Sequence, residues 1–309
     1  MRAKGKAHRY YISTSALSNS KGMALVLTLM VIVLITAMVV EFSYGVYINT
    51  SALYNWQTAQ RLSFVAKSAI QLTAKILSEN SMLSIYTYPG IFMISHKNPF
   101  EDFEGIVSSR IEDENSKFNI NSLVYPNGLL NETAYSSFVR LLHLLEIKPS
   151  MADRIVDWID PDKEPRTEDS EDGSKNGFLD SVDEILLIPG IDKGSFDKLL
   201  PYITIYGNGL ININGAEIRV LMSLSDSIDR EMAERIVRYR ELNPFENPGD
   251  IFKVAGFETI GQSLMGRITV KGTAFHVTST ATEGDIKRMI ESLLEMTGGS
   301  PTIKYWKEI

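Results

Sequence analysis

The chain has no cysteine. That absence excludes disulfides, thiolate zinc sites, iron–sulfur clusters and a cysteine nucleophile. Histidine is scarce: His8, His96, His143 and His276 are the four present, and their spacing assembles no metal site. His143 stands among leucines and reads as a packed or surface residue. There is no glycine-rich phosphate loop, and Gly207-Asn208-Gly209 reads as a turn. No nucleophile–base pair stands out, so nothing in the sequence points to an enzyme. Proline is missing from Met1 to Tyr88, so nothing in that stretch breaks a helix. Acids are missing from residues 1–22, which carry Arg2, Lys4, Lys6, Arg9 and Lys21. The whole chain has a net charge of −7, so this basic head precedes a more acidic body. An acidic body opposes electrostatic binding to nucleic acid.

Against those absences stands one long apolar run. Residues 23–40, MALVLTLMVIVLITAMVV, contain no charge. At about 1.5 Å per residue they span roughly 27 Å, close to a bilayer core. The basic flank predicts a cytoplasmic N-terminus and an external body. A secretory signal peptide has a shorter apolar core followed by a small-residue cleavage site. Here Glu41 and then Phe42–Tyr47 follow instead. Further on, Leu62, Val65, Ala66, Ala69, Leu72 and Ile76 recur at helical spacing. The pattern predicts one continuous helix from Met23 to about Leu77, its second half amphipathic and packed on a globular domain.

The rest of the chain mixes strand and helix signals. Ile91–Ser95 and Ile106–Ile111 read as short strands. Asn131 suits a helix cap, and Phe138, Leu141, Leu142 and Leu145 form one face of the helix behind it. Pro149 separates that helix from another at Ser150–Ile159. Near the C-terminus, Arg267–Lys271 and Ala274–Thr280 alternate and predict a hairpin around Gly272. Glu283–Glu295 reads as a helix and Thr302–Trp306 as a closing strand.

Residues 157–184 hold eleven acids against three bases. By composition this is either a solvated surface loop or a site for a hard divalent cation, which takes six to eight oxygens when it is Ca²⁺. An EF-hand is excluded, because Pro165 stands where that loop requires glycine. Leu187–Leu200, with Pro189-Gly190 at its turn, looks like a helix-hairpin-helix element. A second runs from Ile211 to Phe257, and its first turn, Ser223–Asp229, has no glycine and two acids. From Leu210 to Val270 nine acids oppose seven bases, whereas a phosphate-binding face is net basic. The hairpins therefore read as structural or protein-binding.

Three groups of residues carry a family resemblance. Lys21-Gly22-Met23-Ala24-Leu25 resembles a type IV prepilin signal. Asp113, Phe118, Asn119, Asn121 and Leu123 match a motif of the type II secretion minor pseudopilin K (GspK) family. Val156–Asp162 and Asn176–Gly190 resemble the two flanks of that family's metal loop, although this loop is shorter and lacks its tyrosines. The resemblance implies cleavage by a prepilin peptidase after Gly22 and methylation at Met23. It implies calcium, one or two ions, with Asp160, Asp162, Glu171, Asp172, Asn176 and Asp180 as candidate ligands. It also implies an α+β fold, with a long transmembrane helix packed on a pilin-like antiparallel sheet and a large all-α helix-hairpin-helix (SAM-like) insertion. The expected boundaries are a leader at 1–22 and a long helix at 23–80, with 23–41 in the membrane. The pilin-like domain takes 81–125 and 265–309, and the insertion 126–264. Leu27 stands at the fifth mature position, where most pilins carry a glutamate; the large tip subunit of type II secretion lacks it too. The implied protein sits in the bacterial inner membrane with a periplasmic domain. It is not an enzyme, it primes the pseudopilus tip with pseudopilins I and J, and it binds no nucleic acid. The alternative is the membrane-anchored DNA-uptake receptor of competence, which also carries helix-hairpin-helix modules.

Overall fold

The computed structural model describes residues 20–96, 103–167, 170, 173–298 and 300–309. Residues 1–19 of the expected leader and the candidate ligands Glu171 and Asp172 lie outside the described residues. The chain divides into a unit ending at Thr58 and a second unit, Ala59–Ile309. Helix α1, Ser20–Leu83, contains no proline. In the first unit its apolar side chains from Met23 to Val40 are all exposed. By length and composition this stretch is able to cross a membrane, with an 18-residue window of mean hydropathy 3.0. Its two hydroxyls are satisfied within the helix: Thr28 donates to the Leu25 carbonyl at 2.9 Å and Thr36 to that of Ile32 at 2.8 Å. That removes the cost of an unpaired polar group in hydrocarbon. Phe42, Tyr44 and Tyr47 follow, also exposed, as in an interfacial aromatic belt.

In the second unit the chain continues through β1 (Ile91–His96), β2 (Ile106–Asp113), β3 (Phe118–Asn119), α2 (Glu132–Leu144) and α3 (Ser150–Ile159). Next come α4 (Lys193–Leu199), β4 (Ile203–Thr204), β5 (Ile211–Asn212), α5 (Ile218–Ser223), α6 (Arg230–Leu242) and α7 (Gly261–Leu264). It closes with β6 (Ile268–Thr269), β7 (Ala274–Glu283), β8 (Ile286–Thr297) and β9 (Ser300–Glu308). An antiparallel sheet of order β1-β2-β7-β8-β9 covers one side of α1. Side chains alternate along its strands, so one face is apolar. Val107, Ile111, Val277, Ala281, Ile290 and Leu294 meet Leu62, Val65, Ala66, Ala69 and Ile70 of the helix. Each buried valine, leucine or isoleucine among them contributes about 1.5–3 kcal/mol. At the open end of this layer Ser63 donates to Glu308 at 2.5 Å, and Lys67 lies 4.1 Å above the Trp306 ring.

Two expectations fail. Glu283–Glu295 is not a helix: it is the end of β7, a turn and most of β8. Ile286, Met289, Ile290, Leu293 and Leu294 have helical spacing, but Gly284 adopts φ 56° and Glu283 faces Ile286 across a two-residue hairpin loop. A loop of that length with glycine first suits a primed turn, and pairing along the whole of β7 then decides the backbone. The hairpin around Gly272 is also absent. Ile268–Thr269 pairs in parallel with Ile211–Asn212, while β7 lies between β2 and β8. Alternation marks a strand but not its partner. Gly272 passes against the Asp113 carboxylate, where a Cβ would come within 2.5 Å of Oδ1.

The segment between β2 and β7 is a duplication. Both copies open on a short strand followed by an Asn-Ile-Asn triplet, Asn119–Asn121 and Asn212–Asn214. In each the strand pairs in parallel with a closing strand, β3 with β4 and β5 with β6. Each has a helix with the same core sequence, Met151-Ala-Asp-Arg-Ile-Val-Asp-Trp158 in α3 and Met232-Ala-Glu-Arg-Ile-Val-Arg-Tyr239 in α6. Each ends in a 3-10 turn, a glycine turn and a short helix: Val182–Leu187, Gly190 and α4, then Pro248–Lys253, Gly256 and α7. The turn of the second copy that corresponds to Pro189-Gly190 is therefore Val254–Phe257, and not the glycine-free Ser223–Asp229 expected as its first turn. The two copies share one core, which reaches from Phe118 to Val270.

Candidate functional site

The acidic loop leaves α3 and returns to the chain at Leu179. Asp157, in the last turn of α3, is completely buried. The Arg166 backbone donates to its Oδ2 at 2.8 Å, Ser170 donates to the same oxygen, and the Arg166 guanidinium stands 3.2 Å from Oδ1. Arg166 also reaches Asp160 at 3.5 Å. Asp160 is buried, and its Oδ1 has no hydrogen-bond partner. Burial first, and then the charge of Asp162, pushes its carboxyl up to about 6. Asp162 is exposed, and its Oδ1 accepts from the Glu164 amide at 2.9 Å. Asn176 takes φ 52°, and its amide donates to the Trp158 carbonyl at 3.0 Å, which ties the loop back to α3. Asp180 is exposed and bound at 2.6 Å to Lys175, which also holds Glu184 at 2.8 Å. Among the described residues no three carboxylates or imidazoles converge to form a cation cage. The donor set nonetheless suits a hard cation: Asp160 Oδ1, like Asp157 Oδ1, is a buried carboxylate oxygen that accepts no hydrogen bond among the described residues.

The second arrangement joins the sheet to the duplicated segment. Asp113 ends β2 fully buried. It accepts from Asn212 Nδ2 at 2.6 Å and from the Asn115 amide at 2.9 Å. Burial pushes its carboxyl up to about 7, and the nearby Glu114 adds to this, against the pull of Asn212, Asn115 and Lys117. Asn115 Oδ1 accepts from the Thr273 amide at 2.8 Å, while its Nδ2 donates to Asn208 Oδ1 at 2.8 Å and the Leu210 carbonyl at 3.0 Å. Asn121 clamps the Leu179 peptide from both sides, with bonds of 3.0 and 2.9 Å. Asn214 does the same to Phe245, with bonds of 2.9 and 2.8 Å. These are equivalent positions, each three residues before the 3-10 turn of its copy. A side-chain amide used this way replaces a β-bridge and leaves no buried polar group open. The motif residues Asp113, Asn119 and Asn121 are thus framework.

The helix arginines repeat as well. Arg154 donates to the Pro189 carbonyl at 2.9 Å and Arg235 to the Ala255 carbonyl at 3.1 Å, each just before the hairpin glycine. Sequence reasoning passed over both, although the shared Arg-Ile-Val of α3 and α6 marks them. The Gly256 amide already donates to Glu258 at 3.0 Å, so a carboxylate occupies the position a phosphate would need.

Together, an apolar helix long enough to span a bilayer, a helix-on-sheet layer and a duplicated hairpin insertion define a protein of pilin-like build. Two family models, both described as type II secretion system (T2SS) protein K, match residues 116–208 and 211–271, one for each copy of the duplication. Similar proteins include the type II secretion system protein K of Pseudomonas aeruginosa, 28% identical over 64% of this chain and 63% of its own length. That of Dickeya chrysanthemi is 27% identical over 43% of this chain and 42% of its own length, and that of Aeromonas hydrophila 22% identical over 88% and 92%. The matched stretches thus span less than two thirds of the first two relatives. A crystal structure of the GspK-GspI-GspJ complex from enterotoxigenic Escherichia coli is similar with a TM-score of 0.64 and 20% identity, covering 84% of this chain and 99% of that chain, so the fold is shared. The chain belongs to the type II secretion system protein K family.

Proposed function

We propose that this chain is a minor pseudopilin at the tip of the type II secretion pseudopilus, where it primes assembly with pseudopilins I and J and supports export across the outer membrane. One observation carries the tip position: Leu27 occupies the place of the usual pilin glutamate. A carboxylate in lipid costs several kcal/mol unless paired, and a subunit with no neighbour above it has no amine to pair with. The related GspK was solved together with GspI and GspJ, which supports the same partners here. On this reading a prepilin peptidase cuts after Gly22, Met23 becomes the methylated N-terminus, and the second unit lies in the periplasm. The role is structural and not enzymatic. Carbonyl-bound arginines and the Glu258 carboxylate at the hairpin turns favour packing over DNA contact.

Calcium belongs to the same proposal. Nineteen residues separate Ile159 from Leu179 in the first copy, while two separate Leu242 from Phe245 in the second. The module closes without the loop, so its acids serve something other than the fold. Asp160, with Asp162, Glu171, Asp172, Asn176 and Asp180, would hold the ion, and the ion would supply the positive charge the loop lacks. The test is capture of I and J by the full chain in detergent, with calcium and with EDTA. A complex is expected, stronger with calcium; no complex in either condition refutes the tip assignment.

A further inference from the structure

A groove of about 820 Å³ runs along the seam of the two copies. Thr133 and Asn208 supply a hydroxyl and an amide, Asn121 is committed to the Leu179 peptide, and Tyr125 and Phe178 supply ring faces. Among the described residues no Asp or Glu lines it, while Arg267 does. Arg267 Nη2 donates to Ser137 Oγ at 2.5 Å, and Arg140 Nη2 donates to the same oxygen at 3.3 Å. Ser137 Oγ in turn donates to the Thr133 carbonyl at 3.0 Å. Two guanidiniums therefore share one neutral acceptor. Arg140 has an acid within reach, Asp226 at 3.2 Å, and it also binds the Ser223 and Leu224 carbonyls. Among the described residues Arg267 has no carboxylate partner. Burial, and then the Arg140 charge, pushes its guanidinium down.

A half-buried cation beside a like charge is unfavourable until an anion joins it. The guanidinium fork matches a carboxylate, and the groove is as large as sites that enclose whole ligands, far beyond one small ion. The Thr133 hydroxyl and the Asn208 amide suit a peptide backbone. We propose that this groove binds an acidic peptide segment of a partner protein, with a carboxylate on Arg267. The inference rests on the duplicated segment alone and holds whether or not the tip assignment does.

The test is calorimetric titration of the full chain in detergent with acetyl-Ser-Glu-Asp-Ser-amide and its neutral isostere acetyl-Ser-Gln-Asn-Ser-amide. The acidic peptide is expected to bind at least about tenfold tighter, as charge-assisted hydrogen bonds allow. Arg267→Gln removes that preference. Thr133→Trp fills the groove from an exposed position while keeping the arginine, and removes binding with melting unchanged; it decides alone if Arg267→Gln does not fold. Equal binding of the two peptides overturns the proposal. So does a preference that survives both variants, which would assign it to the basic head of residues 2–21. Inorganic phosphate competing as well as the acidic peptide would make this an anion site only, and also overturns it.

Discussion

Asp113 makes stability fall as pH rises, the reverse of the usual carboxylate. Its carboxyl titrates at about 7 in the fold, against an ordinary 3.8. Between those values the folded chain keeps a proton that the unfolded chain has released. The contribution is fully present below pH 3.8 and is lost as pH climbs through 7. At about 1.4 kcal/mol per unit the loss amounts to about 4 kcal/mol. The groups facing the carboxyl are the Asn212 amide, the Asn115 backbone, Gly272, Glu114 and Lys117. Asp113→Asn provides the reference. Asn212 cannot turn over to suit it, because its Oδ1 accepts from the Asn214 amide at 3.0 Å. The variant therefore loses about 1–3 kcal/mol at pH 4, from one unmade bond. It has no proton to lose, so the gap between the two proteins closes and reverses by pH 8. Guanidinium unfolding of the full chain by tryptophan fluorescence, at pH steps from 4 to 8, measures the gap, and taking the difference cancels the other carboxylates. A gap constant to within about 1 kcal/mol across that range would refute the reasoning.

Gly272→Ala pushes a methyl into the Asp113 carboxylate and is expected to cost about 1–3 kcal/mol in the same unfolding assay. Ile111→Ala opens a cavity between α1 and the sheet and is expected to cost about 2–5 kcal/mol. Calcium at a hundredfold excess over its Kd is expected to add about 2.7 kcal/mol, reversed by EDTA, and identical melting in the two conditions counts against the ion. Gly22→Val is expected to leave the leader attached, read as intact mass against the shortened native chain.

The parts of this fold that were legible in the sequence are those whose signal is local. A proline-free apolar run dictates α1 whatever surrounds it. Asn131 caps α2 through its side chain, as its type and position imply. β1 and β2 are short runs bounded by turn residues. β8 was misread because its apolar spacing satisfies both periods, and only its pairing partner chooses between them. The local clue was the Gly284-Asp285 pair, whose weight depends on recognising strands on both sides. The duplication was overlooked for a different reason. Its copies differ in length both before the shared helix and, by the acidic loop, after it, so no fixed period exists to detect.

That loop also explains why the candidate metal site was only half legible. Composition concentrates charge without saying where it is neutralised, and here the chain supplies its own cations to four of the eleven acids. Arg166 stands between Asp157 and Asp160, and Lys175 between Asp180 and Glu184. An incoming ion must therefore displace or share these pairs, and its affinity depends on how firmly the two cations hold. Asp180 and Lys175 are the weaker set, since the Asp180 carboxylate is 88% exposed and a solvent-screened pair contributes little. Asp160 is the stronger anchor, because its Oδ1 is buried and has no hydrogen-bond partner among the described residues. The second copy closes the same module with two residues, so the framework itself does not require the acids of the first copy's long loop.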